Sequence, residues 1–305
     1  MGEIIVIGSI NMDIVNEVEQ FALPGQTIHG RSTSFIPGGK GANQAVAAAK
    51  SGASVRMIGA VGQDAFGAEL IEALKQTQVD TAFVAGKEGT SGLAFITVNT
   101  TGENEIILSP GSNGKLTESD IPDLSRFPDA QAILLQNEIP WPVNQHVIQE
   151  AKKCGIFVIV NPAPAFAIAD DDLSQIDLLV LNETEAEFIT GRSMESPGHA
   201  ARLLIERGAR EVLLTLGEHG CFYMNRDGDD YALEAYPVKA LDTTAAGDTF
   251  IGAFAAARTD GMPIAACLRF ASAAAALSVT KQGAQSSIPE KAETIRMMSG
   301  TTDAQ

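Results

Sequence analysis

DTTAAGDTFIGAF, residues 242–254, joins a run of small residues to an apolar segment. The side chains of Thr243 to Gly247 are small, so the backbone N–H groups of this run can approach an anion closely. The residues that follow predict a helix over 247–258 whose apolar side packs inward, with Asp248 in its first turn. Because the start of a helix carries partial positive charge, an anionic part of a substrate can bind beside this carboxylate.

Asp248 has two interpretations on this spacing alone. A carboxylate at this place can accept a proton from a hydroxyl group, while nearby amides neutralise the charge on a transferring phosphoryl group. It can also be the N-terminal cap of an ordinary glycine turn, and a lone Gly-Asp pair before a helix favours the cap. The full run of two aspartates, two threonines and three smaller residues favours the base.

PGGKGANQA, residues 37–45, is a second glycine-rich run before a predicted helix. Three glycines in four residues imply close approach of the backbone to a ligand, and Lys40 and Asn43 add a cation and a hydrogen-bonding amide. A flexible loop and a helix start would give a similar composition. Two familiar phosphate-binding motifs are excluded. Gly41 follows Lys40 where a Walker A loop needs Ser or Thr, and the first strand ends in GSINMD without a GxGxxG fingerprint.

Strand and helix signals alternate along most of the chain. The predicted strands are 3–8, 55–62, 131–136, 156–160, 177–181 and 211–216. The predicted helices are 42–52, 66–75, 143–153, 183–190, 198–207, 247–258, 263–280 and 290–298. This alternation is typical of an α/β protein, so we expect a mostly parallel sheet that helices cover on both faces.

Two separated segments break the alternation. Residues 11–36 alternate apolar and polar positions in short pieces around a Pro-Gly pair, which predicts short antiparallel strands. Residues 92–98 and 104–109 predict a hairpin. We therefore expect a small β-lid from 11–36 and 91–111, an α/β core from 1–10, 37–90 and 112–300, and a frayed tail at 301–305.

Several polar side chains follow predicted strands, and ligands of parallel sheets collect at the carboxyl ends of the strands. Asn11 and Asp13 come after the first strand and suit sugar hydroxyls, although an Asx-turn pair at a loop entry fits them equally well. Glu138 follows the apolar strand AILLQNE in the same way. NETEAE begins a helix, and its Asn182 and Glu185 have the spacing of a capping box.

The charge balance limits the partners of the chain. Its 305 residues include 21 Lys and Arg against 38 Asp and Glu, a formal net charge of −17. Such an acidic chain is a poor candidate for sequence-independent binding of nucleic acid or anionic membranes, because both need a basic surface. The chain has no signal-peptide pattern and no long charge-free apolar stretch, so we expect a cytoplasmic enzyme.

Seven motifs in one order resemble the ribokinase (pfkB-type) carbohydrate kinase family over almost the whole chain. They are NMD at 11, GGKGANQA at 38, NPAPA at 161, NETEAE at 182, TLGEHG at 215, DTTAAGD at 242 and SVTKQGAQSSIP at 278. The resemblance implies a three-layer α/β/α core with a sheet of about nine strands and a β-lid over the sugar. It also implies that the lid pairs with the lid of a second subunit in a homodimer.

The resemblance assigns roles to individual residues. It implies that the sugar is held by Asn11, Asp13, Gly39, Lys40, Gly41, Asn43 and Glu138. It implies that Asp248 is the base and that Ala245, Ala246 and Gly247 form an anion hole. The nucleotide site that it implies is lined by Asn182, Thr215, Gly217, Gly220, Gly247 and Ser272.

The same resemblance implies two kinds of cation. Glu185 and Glu187 lie in the region that is tied to Mg²⁺ through water. A monovalent cation, usually K⁺, is implied beside the anion hole, with several ligands supplied as backbone carbonyl oxygens. Its implied ligand residues are Asp242, Thr244, Ser278, Lys281, Gly283 and Ser287.

The expected reaction is phosphoryl transfer from ATP and Mg²⁺ to the primary hydroxyl of a pentose, with D-ribose as the favoured substrate. Three alternatives stay open at this stage. A related kinase for deoxyribose, a nucleoside or a hexose would differ by contacts to single hydroxyls. A non-catalytic sugar-binding protein on the same fold has no need of a base such as Asp248. An NAD-dependent oxidoreductase lacks its sequence fingerprint.

Overall fold

The computed structural model of the chain describes residues 2–300, so the predicted tail at 301–305 lies outside the described residues. Within this range the strands are β1 (Glu3–Ile7), β2 (Asn11–Val18), β3 (Gly30–Gly38), β4 (Ser54–Gly62), β5 (Asp80–Lys87), β6 (Gly92–Val98), β7 (Asn104–Ser109), β8 (Ala130–Gln136), β9 (Phe157–Asn161), β10 (Leu178–Asn182), β11 (Glu211–Thr215), β12 (Cys221–Asn225) and β13 (Asp230–Leu233). The helices are α1 (Lys40–Lys50), α2 (Ala65–Gln76), α3 (Trp141–Cys154), α4 (Asp170–Leu173), α5 (Glu183–Thr190), α6 (Pro197–Glu206), α7 (Ala246–Thr259), α8 (Ile264–Ser278) and α9 (Lys291–Met298). None of these helices has the length and apolar character needed to cross a bilayer.

Nine of the described strands form one large sheet in the order β13-β12-β11-β10-β9-β8-β1-β4-β5. The strands from β5 across to β11 pair in parallel, whereas β12 and β13 add an antiparallel edge. The mostly parallel sheet predicted from the alternation is therefore confirmed. Parallel pairing brings the carboxyl ends of β1, β8, β9, β10 and β11 to one edge, which is where a ligand site is expected.

The large sheet has a hydrophobic core on each face. In β1, Ile4 and Val6 join the core that contains α1, α2, α7 and α8, whereas Ile5 and Ile7 join the core that contains α3, α5 and α6. This follows from the strand period of two, because successive side chains point to opposite faces and both faces are covered by helices. The result is the three-layer architecture that the sequence predicts.

Helices α1 and α7 pack unusually closely on one face of the sheet. A Cβ atom added at Gly252 of α7 would lie 2.5 Å from the carbonyl oxygen of Gln44 and 2.6 Å from the Cβ of Ala47, both on α1. The absence of a side chain at Gly252 and the alanines of α1 allow this approach. It sets the starts of the two helices side by side at the carboxyl edge of the sheet.

Four strands form a separate small sheet in the order β3-β2-β6-β7. The pairs β2–β3 and β6–β7 are antiparallel, as predicted, and the two hairpins join through parallel pairing of β2 with β6. At its base, the Asp64 carboxylate accepts hydrogen bonds from the N–H and the hydroxyl of Ser91, at 2.7 and 2.8 Å. Ser91 immediately precedes β6, so this contact ties the small sheet to the start of α2.

Three strands of the large sheet were not predicted. β5 lies at one edge and is only partly buried, so its apolar pattern is weak. β12 is five residues long and β13 is four residues long and mostly exposed at the opposite edge. The pairing of β12 with β11, and of β13 with β12, defines these strands more than their own composition does. Tertiary context decides such short edge strands.

Candidate active site

Asp248 lies at the junction of α1 and α7, and its carboxylate is held by side chains of α1. Oδ2 accepts a hydrogen bond from Asn43 Nδ2 at 3.1 Å, and Oδ1 accepts one from Gln44 Nε2 at 3.0 Å. The N-cap of α7 is Ala245, which places Asp248 inside the first turn. The alternative interpretation of Asp248 as the cap of this helix is therefore excluded.

The start of α7 presents free backbone donors. Ala245 has a left-handed conformation with φ 59°, which turns the chain into the helix. The N–H groups of Gly247 and Asp248 have no acceptor among the described residues, as expected for the first turn of a helix. Gly247 is exposed, and a Cβ atom added there would meet nothing within 4 Å. This turn is an open anion-binding surface beside the Asp248 carboxylate.

The glycines before α1 have a different environment, because the protein itself fills the space beside them. A Cβ atom at Gly38 would lie 2.2 Å from Asp13 Oδ2, and one at Gly41 would lie 2.6 Å from the backbone nitrogen of Ser9. The N–H of Gly41 donates to the Ser9 hydroxyl at 3.2 Å. The close approach predicted from these glycines is therefore to neighbouring protein, and direct contacts of Gly39 and Gly41 with a sugar stay a prediction.

The charged groups around Asp248 shift one another's pKa. Burial, with the nearby Glu138 and Asp248, raises the pKa of Asp13 to about 7. Burial also raises the pKa of Glu138 and of Glu185. Burial alone would lower the pKa of Lys40, but the carboxylates of Asp248, Glu138 and Glu185 outweigh it and raise that pKa. One lysine among four carboxylates is a constellation typical of a functional site.

Polar atoms of the predicted sugar residues differ in whether the protein already satisfies them. Asn11 Oδ1 accepts a hydrogen bond from Asn113 Nδ2 at 2.7 Å. Glu138 accepts hydrogen bonds from the Ser9 hydroxyl at 2.5 Å and from the N–H of Lys40 at 3.1 Å. Among the described residues, Asn43 Oδ1 has no hydrogen-bond partner, and no group donates a hydrogen bond to the Asp13 carboxylate. Both groups are buried, and their hydrogen-bonding capacity is not used by the protein itself.

A cavity of about 230 Å³ lies between the strand ends and the start of α7. It brings together residues predicted for different sites: Lys40 and Asp248 for the sugar, Asn182 and Thr215 for the nucleotide, Ala245, Ala246 and Gly247 for the anion hole, and Glu185 for Mg²⁺. The other residues predicted for the sugar, which are Asn11, Asp13, Gly39, Gly41, Asn43 and Glu138, do not line this cavity. Thr215 donates to the carbonyl of Leu181 at 3.3 Å, and Asn182 caps α5 in a capping box with Glu185. The capping box predicted from NETEAE is thus confirmed.

Three residues predicted for the nucleotide site lie outside the lining of this cavity. Ser272 is buried on α8, with its hydroxyl 3.8 Å from the sulfur of Cys221. A Cβ atom added at Gly220 would lie 1.9 Å from the backbone oxygen of Leu233. Gly217 is exposed in the turn after β11. Gly220 therefore has a packing role that its motif did not reveal.

The residues predicted for the monovalent cation lie in two loops that Asp242 joins, apart from Ser278, which is the last residue of α8. Its Oδ1 accepts hydrogen bonds from the N–H and hydroxyl of Thr244 at 2.9 and 2.6 Å, and Oδ2 accepts one from the N–H of Gly283 at 2.9 Å. These bonds lower the pKa of Asp242 although partial burial opposes them. The hydroxyls of Ser278 and Ser287 each donate to a backbone carbonyl three residues earlier, at 2.8 Å. Lys281 pairs with Glu293 at 3.1 Å.

Five residues of the site were missed as functional candidates. They are Ser9, Gln44, Asn113, Gln136 and Asn161. Asn161 directly follows a predicted strand and carried the same positional signal as Asn11. Gln44 lies within the quoted run PGGKGANQA, and Gln136 is a polar residue in an otherwise apolar strand. Their contacts depend on how α1 and β8 meet, which the sequence pattern does not specify.

The chain belongs to the pfkB family of carbohydrate kinases, because the model of that family matches residues 1–291. It is 41% identical to the ribokinase of Haemophilus influenzae over 298 residues, which cover 96% of this chain and 97% of that protein. It is 38% identical to the deoxyribokinase of Salmonella typhi, over 94% of this chain and 95% of that protein. The structure of Arabidopsis thaliana ribokinase complexed with ribose and ATP superposes with a TM-score of 0.90 at 33% identity, covering 97% of this chain and 98% of that one. The family resemblance and the fold inferred from the motifs are confirmed.

Proposed function

We propose that this chain transfers the terminal phosphoryl group of ATP to the primary hydroxyl of D-ribose, which yields D-ribose 5-phosphate and ADP. The observation that carries the proposal is the Asp248 carboxylate, fixed by two amide donors beside a helix start whose N–H groups are free. The similarity to ribokinases over nearly the whole chain supports the choice of substrate.

In this reaction Asp248 accepts the proton of the sugar hydroxyl as the hydroxyl oxygen attacks the terminal phosphorus of ATP. The bond to the bridging oxygen breaks, and ADP leaves with the bonding electrons. The backbone at the start of α7, from Ala245 to Gly247, neutralises negative charge on the transferring group. Its free donors are the N–H groups of Gly247 and Asp248, whereas the N–H of Ala246 already donates to Thr243 at 3.2 Å. Lys40, beside the same carboxylates, adds a positive charge near the reacting groups.

The sugar is held by the polar groups next to Asp248. The free Asp13 carboxylate accepts hydrogen bonds from sugar hydroxyls, and Asn43 Oδ1 accepts another. Asn11 offers its amide N–H groups, because Asn113 already binds its oxygen. Glu138 orients Ser9 and the backbone of Lys40 around this pocket and contacts the sugar with its remaining oxygen. Gly39 and Gly41 shape the pocket wall by packing on the protein itself.

The nucleotide occupies the cavity between the strand ends and α7. Asn182 and Thr215 line this cavity, whereas Gly217, Gly220 and Ser272 do not, so their contact with the nucleotide stays a prediction. Mg²⁺ bound with the nucleotide would neutralise phosphate charge. Glu185, which is buried and lines the cavity, fits a water-mediated contact to that ion. Glu187 fits less well, because its carboxylate is exposed and binds the N–H of Met194 at 2.8 Å.

A monovalent cation such as K⁺ would sit between the two loops that Asp242 joins. The polar side chains there are largely engaged within the protein, so backbone carbonyl oxygens are the ligands that fit best. The ion would add positive charge beside the start of α7. Replacing K⁺ with a large organic cation should lower kcat, as measured by ADP release. Unchanged kcat across such cations would remove the cation site from the proposal.

We also propose that the small sheet is a lid, built from 11–36 and 91–111, that pairs with the lid of a second copy. Its exposed apolar side chains are Phe35, Phe95, Ile106, Ile107 and Leu108, with Ile107 70% exposed. The register of the small sheet sets Phe35, Phe95 and Ile107 on one face and Ile106 and Leu108 on the other, since successive side chains of a strand alternate. Exposed apolar side chains of this kind suit a protein interface. Light scattering should give the mass of a dimer for the native chain and of a monomer for Ile107→Glu. A native monomer would contradict the pairing. A cytoplasmic location stays a prediction.

The nearest alternative function is phosphorylation of deoxyribose, because deoxyribokinases reach 38% identity with this chain. A coupled ADP-release screen across D-ribose, 2-deoxyribose, hexoses and nucleosides separates the candidates. We expect the highest kcat/KM for D-ribose. A sugar that is preferred over ribose would correct the substrate, whereas no ADP release with any sugar would contradict the kinase activity itself.

A further inference from the structure

Two fully buried glutamines form a chain of hydrogen bonds that ends at the Asp248 carboxylate. Gln44 on α1 donates from Nε2 to Asp248 Oδ1 at 3.0 Å, and Gln136 at the end of β8 donates from its own Nε2 to Gln44 Oε1 at 2.7 Å. Both residues are 0% exposed, and neither lines the cavity beside Asp248. They can therefore influence a reaction in that cavity only through the residues that Gln44 contacts, which are Asp248 and, at the longer distance of 3.4 Å, Asn161.

The order of donors and acceptors in this chain of hydrogen bonds permits one orientation of Gln44. Its oxygen is occupied by Gln136, so its nitrogen faces Asp248 and also approaches Asn161 Oδ1 at 3.4 Å. The reversed amide would set its oxygen against the Asp248 carboxylate and its nitrogen against the nitrogen of Gln136. Both contacts would be repulsive. The negative charge on Asp248 therefore determines which end of the Gln44 amide faces it.

Packing against Gly8 holds Gln136, the residue of this chain of hydrogen bonds farthest from Asp248. Gln136 Oε1 has no hydrogen-bond partner among the described residues, although it is buried. It fills the space beside Gly8, where an added Cβ atom would lie 1.9 Å from that oxygen. The backbone oxygen of Gln136 accepts a hydrogen bond from Asn144 Nδ2 at 2.9 Å. A buried amide oxygen without a partner costs free energy, so its presence points to a use for the opposite end of the side chain.

We propose that Gln44, locked by Gln136, is a positioning residue for Asp248. It fixes the rotation of the carboxylate so that a free lone pair faces the sugar hydroxyl, and it stabilises the ionised form by donating to it. A fixed geometry of the base contributes to turnover because the reacting atoms must meet within a few tenths of an ångström. The proposal rests on the proposed role of Asp248 as the base.

The expected effects differ for the two glutamines because only one contacts the carboxylate. Gln44→Met keeps the side-chain volume and removes the donor, so kcat should fall about ten- to a hundredfold, with a much smaller change in KM for ribose. Gln136→Met frees Gln44 to rotate and should lower kcat by less. In Gln44→Met the acid limb of the kcat–pH profile should move to higher pH, because the ionised base loses a donor. In Gln136→Met the donor is kept but is no longer held in one orientation, so the acid limb should move in the same direction by less. The other charged groups around Asp248, which are Asp13, Lys40, Glu138 and Glu185, are unchanged in these variants.

The experiment compares kcat, KM and the kcat–pH profile of Gln44→Met and Gln136→Met with those of Asp248→Asn, and records thermal unfolding of each. Thr294→Val is the matched control, since Thr294 is buried on α9 and its hydroxyl bonds only to Glu290. This control should lose some stability and keep both kcat and its pH profile.

The outcomes separate this inference from the proposed function. If Asp248→Asn turns over normally, the proposed function fails. If Asp248→Asn is inactive while both glutamine variants keep the native kcat and pH profile, the positioning role is overturned and the two residues only support the fold. Should Gln44→Met fail to fold, Gln136→Met decides alone: a moved acid limb supports the proposal, and a native profile overturns it.

Discussion

The two glycine-rich segments at the starts of α1 and α7 have similar compositions, but the space beside their glycines differs. In the segment at the start of α1, the space beside Gly38, Gly39 and Gly41 is filled by the turn after β1, the backbone of Asn11 and the side chain of Asp13. In the segment before α7, the space beside Gly247 is open and the N–H groups of the first turn are free. A run of glycines in a sequence therefore does not say whether protein or ligand occupies the space they leave.

The two segments differ in what they provide to the site. The first segment packs tightly, and this packing sets Lys40 and Asn43 at fixed positions beside the buried carboxylates. The second segment is an open surface where a phosphate can meet the helix start. Under the proposed function, the first segment supplies a rigid wall for the neutral sugar and the second supplies an open wall for the charged phosphoryl group.

The largest expected effect is that of Gly41→Ala on stability. The added methyl group would lie 2.6 to 2.8 Å from backbone atoms of Gly8 and Ser9, which cannot move away without disturbing β1. We expect the free energy of unfolding to fall by about 3 to 5 kcal/mol, measured by urea denaturation. Gly86→Ala is the control, because an added Cβ there meets nothing within 4 Å. If Gly41→Ala were as stable as Gly86→Ala, the space beside Gly41 would have to be as open as the space beside Gly247, which would contradict the comparison.

Asp13→Asn tests the charge that the first segment holds buried. The pKa of Asp13 is raised from 3.8 to about 7, so the folded protein binds its proton more tightly than the unfolded chain does. The cost of burying the ionised Asp13 carboxylate is therefore absent below pH 4, and it lowers the free energy of unfolding increasingly as the pH rises towards 7. We expect Asp13→Asn to be more stable than the native chain by about 2 kcal/mol at pH 8 and by nearly nothing at pH 4. A difference that does not change with pH would contradict the raised pKa.

Gly247→Ala should have the smallest effect on stability. Its added methyl group meets no protein atom, and alanine is favoured over glycine in a helix, so the free energy of unfolding should rise by less than about 1 kcal/mol. The same methyl group would occupy the space of the phosphoryl group, so kcat/KM for ATP should fall about tenfold or more. A destabilised variant with native kinetics would reverse the roles assigned to the two segments.

The sequence predicts the fold well where the apolar patterns are strong. The central strands, the helices around them and both hairpins of the small sheet follow from alternation and turn residues. The edge strands β5, β12 and β13 do not, because they are short or half-buried and pairing with a neighbour defines them. The parallel pairing of β2 with β6 was also unforeseen, since it joins segments about 80 residues apart.

The candidate site was predictable in its charged members and not in its buried amides. Asp248, Lys40 and Glu138 lie in runs whose composition indicates chemistry or directly follow a strand. Gln44 lies in a glycine-rich run and Gln136 ends an apolar stretch, but neither pattern indicates that they contact each other, because this contact depends on the distance between α1 and β8 in the folded chain. Likewise, the packing role of Gly41 depends on the turn after β1, which no pattern around residue 41 reveals.

The most direct test of the central claim is single-turnover kinetics of Asp248→Asn with ATP and D-ribose, together with ribose binding by calorimetry. The substitution keeps the shape of the side chain and removes its ability to accept the proton. We predict that ribose still binds with nearly native affinity while the rate of phosphoryl transfer falls by about 10² or more. Phosphoryl transfer at the native rate would contradict the assignment of Asp248 as the base.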